Sequence, residues 1–350
     1  MNNRIVWIDT LKAIAIFMVV IGHTIGLPEF TEKMIFSFHM PIFFWLSGSL
    51  VREKIRHTPF VDYLKKKART RLIPYLSFSV ISYTLWFFLL RHFGTQAQLN
   101  ISPMHTFTGI FYGNGINHRL DHDTVLWFFL CLFVTEIIFF WIIKIRPIKW
   151  FVFILALFSI AGYADTWFNR PDGFRLPWNI DIALSMVVFY GIGYLCGPYF
   201  KKGAWMRSHW QWALGVISLI IYTACSLINS KVAVVAGNYG NYFYFYAAAL
   251  SGILFWVIIA MQIPKLSLIS KIGDSTLIIF PLHLLVFPFL TAGMVYGLKI
   301  PADIKEDSIL LSIGYAVISI LVLLPVADLI NKYFPFLLGM PGKRKNRNNS

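Results

Sequence analysis

Ten apolar stretches, near residues 5–27, 35–51, 72–93, 124–143, 150–164, 180–199, 210–228, 242–263, 276–298 and 309–334, divide almost the whole chain among them. Each approaches the roughly 20 residues that an α-helix needs to cross a hydrocarbon core about 30 Å thick. In lipid every backbone N–H and C=O must be bonded within the protein, so the pattern predicts an all-α integral membrane protein of ten transmembrane helices. The balance of side chains agrees: 57% of the 350 residues are hydrophobic and 13% charged, whereas soluble domains carry roughly half and about a quarter. No stretch is left over for a separate soluble domain. The sequence reads as one membrane domain over 1–336 and a basic tail over 337–350.

An even number of spans puts both termini on one side. That side holds 22 of the 31 Lys and Arg residues, the opposite connections hold eight, and Lys12 lies inside the first span. The positive-inside rule then predicts that both termini are cytoplasmic. Topology and anionic lipid headgroups account for the formal charge of +15, with no nucleic acid required. The first stretch contains Asp9 and Lys12 and runs into GLPEFTEK without a small-x-small cleavage site, so it is expected to remain a span rather than be removed as a signal peptide. Cys131, Cys196 and Cys225 lie in apolar stretches and are odd in number, which predicts buried thiols.

Polar residues inside the spans carry the functional signal. In LKAIAIFMVVIGH, eleven positions separate Lys12 from His23, an advance of about 16 Å that returns to within about 20° of the same face. The two share a stripe, with Lys12 toward the cytoplasmic side and His23 near the outer surface. A lysine at the bilayer centre costs roughly 2.5–3.5 kcal/mol on insertion scales, so it must face protein or water. Asp9, three positions earlier, is within reach of it. His39, Glu136, Asp181 and His283 also fall within or at the ends of spans, and together they predict a polar track through the bundle. Glu136, about twelve residues into its span, should lie at the depth of Lys12 and pair with it.

The longest outward connection, HFGTQAQLNISPMHTFTGIFYGNGINHRLDHDT, is long enough to fold back over the membrane mouth. Its aromatic, Asn, Asp and Arg side chains suit a carbohydrate surface, and equally an interfacial belt. IGDSTL resembles the nucleophile block of certain esterases, but here it opens a membrane helix, where Asp274 or Ser275 is expected to cap. HRLDHD has ligand-type residues at i and i+4 in an exposed loop, where no metal is expected. Gly48 in WLSGSL is expected to permit close helix packing.

The blocks WIDTLKAIAIFMVVIGH, SFHMPIFFWLSGSL, LWFFLCLFVTE, LPWNIDIALSMVVFYGIGYL and IGDSTLIIFPLHLLV resemble, in this order, membrane acyltransferase family 3, and most of all its fucose 4-O-acetylase-like branch. The resemblance runs from about residue 5 to 330. It implies a ten-span enzyme of the bacterial cytoplasmic membrane that takes acetyl from acetyl-CoA inside and places it on a hydroxyl of an extracytoplasmic or lipid-linked glycan. Membrane lipids are its other implied contact, and no metal is implied. The family's first-helix motif is a basic residue, ten residues and a histidine, which Lys12 and His23 match. Lys12 stands where the family usually has arginine, and an ammonium does not reproduce a bidentate guanidinium contact.

Two arginines three apart are usual at the inner end of the third span; here Arg69 and Arg71 are two apart, beside Lys66 and Lys67. This cluster is expected to hold the phosphates of coenzyme A. His23 is expected to act as general base or acyl carrier. His39 is expected to position the acceptor, with Lys12 and Glu136 completing the catalytic set. A multi-span transporter or flippase for a glycan or small anion is the alternative, since buried charges also mark transport pathways, although the sequence shows no halves of matching hydropathy. A non-catalytic envelope subunit is a third reading, one in which His23 is dispensable.

Overall fold

The computed structural model describes residues 5–168, 175–202, 210–306 and 308–340. Among them the secondary structure is helical, with one isolated β-bridge, Ala233 to Asn238, and no strand. The expected basic tail beyond residue 340 lies outside the described residues. Fourteen α-helices follow in order among those residues: α1 (Val6–Gly22), α2 (Glu29–Phe38), α3 (Pro41–Ser49), α4 (Phe60–Phe88), α5 (Gly94–Leu99), α6 (Pro103–Tyr112), α7 (Trp127–Ile142), α8 (Ile148–Trp167), α9 (Ile180–Lys202), α10 (Trp210–Ile228), α11 (Tyr242–Gln262), α12 (Ser267–Asp274), α13 (Thr276–Ala292) and α14 (Ile309–Tyr333).

Eight of these, α4, α7 to α11, α13 and α14, are long and apolar enough to cross a membrane. The protein is a multi-pass membrane protein. At 17 residues α1 is shorter, rising about 25 Å at 1.5 Å per residue. The second expected span is not one helix. It is broken into α2 and α3 between Phe38 and Pro41, because proline at the first position of α3 has no N–H to continue the ladder. The third begins twelve residues earlier than its apolar stretch, at Phe60, so the basic run LKKKARTR is helical rather than loop.

The first helix is the hub. It packs against α2, α3 and α11 to α14, and 12 of its 17 residues are buried. On another side α3 crosses α9 at backbone contact. A Cβ on Gly48 would strike the Tyr190 carbonyl, one on Gly193 the Trp45 carbonyl, and one on Gly197 the Ser49 backbone. The close packing expected of Gly48 is therefore present. The capping expected in IGDSTL is not: the Ser275 hydroxyl donates back to the Lys271 carbonyl at 2.8 Å, and α13 follows α12 with no side-chain cap at its start.

The connection after α4 folds back on it through α5 and α6. The Tyr83 hydroxyl donates to the Pro103 carbonyl at 3.1 Å, and the Tyr75 hydroxyl to the Ile110 carbonyl at 2.5 Å. Nearby, Arg175 bridges Asp165 at 3.0 Å and Asp181 at 2.8 Å, which gives the buried Asp181 carboxylate a cation. His118 pairs with Asp121 at 2.8 Å within its own loop. The three cysteines are free thiols, Cys131 fully buried and the other two partly so.

Candidate active site

His23 is the C-cap residue of α1, and the turn after it is fixed on three sides. The Thr24 hydroxyl donates to the Ile21 carbonyl at 2.7 Å. The Ile25 carbonyl accepts from the Ser312 hydroxyl of α14 at 2.7 Å. Gly26 has φ +98° and lies against the Lys305 carbonyl, a conformation and a closeness that only glycine tolerates. Held in this way, the half-buried His23 lines a small pocket of about 70 Å³ together with Lys305, Ser312, Thr291 and Tyr315, and the hydroxyls of the last two are 3.0 Å apart.

Two further imidazoles stand beside it. His39 sits in the break between α2 and α3, its Nδ1 2.9 Å from the Ile35 carbonyl. The Phe36 ring contacts both, 4.9 Å from His39 and 6.5 Å from His23 by ring centres. His283 of α13 is closer, with its ring centre 5.3 Å from that of His23. Its Nδ1 is 2.6 Å from the Phe280 carbonyl, and the ring is fully buried. The structure thus links His23 and His39 through Phe36, and places directly beside His23 a further histidine, His283, that sequence reasoning left as a separate polar position.

Glu136 goes elsewhere. Its carboxylate, 1% exposed, receives Lys67 Nζ at 2.6 Å and a bidentate contact from Arg71, at 2.9 Å from Nη2 and 3.1 Å from Nε. The expected pair with Lys12 is therefore not formed. The reason lies in α4: once helical from Phe60, it carries Lys67 and Arg71 one turn apart on the face that meets α7. Lys66 and Arg69 project from the exposed side of the same helix. Lys12 is half-buried, with no ion pair of its own among the described residues. The spacing of Lys67 and Arg71, with an acid in the middle of the next apolar stretch, was the available signal for this triad.

A family model described as an acyltransferase domain matches residues 5–347. The chain belongs to acyltransferase family 3. Among curated relatives, the O-acetyl transferase of Shigella phage Sf6 is 27% identical over 203 residues, covering 52% of this chain and 60% of the phage protein. Nodulation protein NolL of Sinorhizobium fredii is 33% identical over 109 residues, covering 28% of this chain and 30% of its own. The chain thus spans less than two thirds of the length of either relative. No solved structure matches it.

Proposed function

We propose that the protein is an O-acetyltransferase that moves acetyl from cytoplasmic acetyl-CoA to a hydroxyl of an extracytoplasmic or lipid-linked glycan. The family membership supports acyl transfer and weighs against the transporter alternative. The phage relative is named an O-acetyl transferase, which supports acetyl and an oxygen acceptor. The observation that carries the reading is that the half-buried His23 lines a small pocket with Lys305 and the hydroxyl-bearing Ser312, Thr291 and Tyr315, polar company suited to receiving one hydroxyl of an acceptor.

In this reading the chain crosses the bilayer ten times, counting α1 and the broken α2–α3 pair with the eight long helices, and both termini are cytoplasmic. An alcohol is a weak nucleophile at neutral pH. His23 takes its proton as the oxygen attacks the thioester carbonyl, the C–S bond breaks, and the departing thiolate receives that proton. Relay through an acetylated His23 gives the same balance in two steps. His39 orients the acceptor side. At the other end of α1, the exposed Lys66 and Arg69 meet the phosphates of coenzyme A, while Lys67 and Arg71 set the local geometry through Glu136. The pantetheine arm, with Lys12 beside its path, then spans most of the length of α1.

The test is transfer of labelled acetyl from acetyl-CoA to envelope glycan by membranes bearing the chain. His23→Ala is expected to abolish transfer while the protein still inserts and extracts as a monodisperse species. Undiminished transfer by that variant defeats both roles given to His23.

A further inference from the structure

Three imidazoles gather at one end of α1, and the mechanism above uses only two. We propose that His283 is a positioning residue for His23, accepting a hydrogen bond from one of its ring nitrogens so that the other is left free to take a proton from the acceptor hydroxyl. The inference rests on the assignment of His23 as proton acceptor.

The tautomer of His283 follows from its contacts. A carbonyl can only accept, so the Nδ1 that lies 2.6 Å from the Phe280 oxygen carries the hydrogen, and Nε2 of the neutral ring is left with a lone pair. That Nε2 is buried and has no hydrogen-bond partner among the described residues. An unsatisfied buried acceptor costs about 1–3 kcal/mol, and such an atom in a native protein calls for a donor. Phe280 and Phe287 flank the ring at 6.3 and 5.9 Å and offer none.

His23 does offer one. Ring nitrogens stand about 1.1 Å from the centre of an imidazole, so a centre separation of 5.3 Å allows two facing nitrogens to approach about 3 Å, the range of an N–H···N bond. The bond is not formed in the structure; as proposed, the His23 ring turns to close it while the Nδ1 bond holds His283 in place. The His23 side chain has no other hydrogen bond among the described residues, so no other described group sets its tautomer. His39 does not serve in this place, because the ring neighbours of His23 among the described residues are His283 and Phe36, and His39 meets Phe36 instead.

The choice of imidazole has a physical reason. Catalytic histidines are commonly oriented by a carboxylate, but at a position with no solvent exposure inside a membrane a formal charge is expensive. A neutral ring supplies a directional acceptor without that cost. When His23 takes a proton, the same lone pair stabilises the charge.

The test compares His283→Leu, which fills the space and accepts nothing, with His283→Gln, whose side-chain carbonyl can accept. Rates are read with labelled acetyl-CoA at varied concentration and the membranes' own glycan. His283→Leu is expected to lower kcat by about 10–100-fold, the scale typical of residues that orient a working ligand, with KM for acetyl-CoA unchanged. His283→Gln is expected to recover most of that loss. Should leucine prevent folding, His283→Met is the non-accepting variant read in the same way.

A second measurement is independent of activity. Nitrogen NMR of histidine-labelled full-length protein in detergent, with the His23 signals identified by their loss in His23→Ala, should show one His23 tautomer in the wild type and in His283→Gln, and a mixture in the non-accepting variant. Wild-type kcat in the non-accepting variant, glutamine no better than leucine, or an unmixed tautomer in that variant each overturns the proposal. If His23→Ala is itself active, the catalytic reading has failed; if that variant is dead and the non-accepting variant is fully active, only the role of His283 has.

Discussion

His122 and Asp123 close the loop in front of α7, and both are buried without a well-formed hydrogen bond among the described residues. Burial holds the His122 ring down at about 3, from an ordinary 6.5. Between those values the unfolded chain binds a proton that the folded chain does not. This stabilisation is complete above pH 6.5 and is lost as the pH falls toward 3. Burial pushes the Asp123 carboxyl the other way, well above 3.8, so its contribution declines as the pH rises past that value. Thermal unfolding in detergent should therefore show two separable effects. His122→Gln is expected to remove a loss of about 2 kcal/mol between pH 7.5 and 5, the worth of one and a half pKa units, and Asp123→Asn is expected to raise the melting temperature at pH 7.5. At this scale the sequence was only half legible. The spacing from Lys12 to His23 placed a histidine at the outer end of the first helix, and it lines the pocket. It could not show that Lys67 and Arg71 reach Glu136, or that His283 stands behind His23, because both depend on which faces of distant helices meet.

The crossing of α3 and α9 is the element-level counterpart. Gly48, Gly193 and Gly197 let two backbones touch, so one added methyl at the crossing meets rigid carbonyls rather than yielding side chains. Gly48→Ala is expected to destabilise by about 1–3 kcal/mol through overpacking. Gly314→Ala, in α14 with open space around it, is the matched control and is expected to be neutral or stabilising by about 0.5–1 kcal/mol, since alanine suits a helix interior better than glycine. Both are read from unfolding midpoints of purified protein. Hydropathy found every long helix yet misplaced two boundaries, for a common reason. It registers lipid, whereas α4 extends beyond its apolar stretch as a basic helix and the α2–α3 pair is interrupted by proline without losing its apolar character.

For the whole molecule, the charge bias predicts one orientation, and cysteine labelling checks it. In a background free of the three native cysteines, Gln98→Cys in α5 should react with a membrane-impermeant maleimide on intact cells, and His57→Cys, before α4, only after permeabilisation. Both positions are exposed, and α4 separates them. The opposite pattern would invert the proposed direction of acetyl flow. The central place of α1 also bears on how the molecule is made. This helix leaves the ribosome well before most of the helices that enclose it, and about 220 residues separate its end from the start of α11. At a synthesis rate of about 5–20 residues per second, that is a delay of roughly 10–45 s. For that interval Asp9, Lys12 and His23 must be sheltered by the insertion machinery or by lipid headgroups. Chains cut short before α11 would strand this helix without its wall, a ready target for membrane proteases.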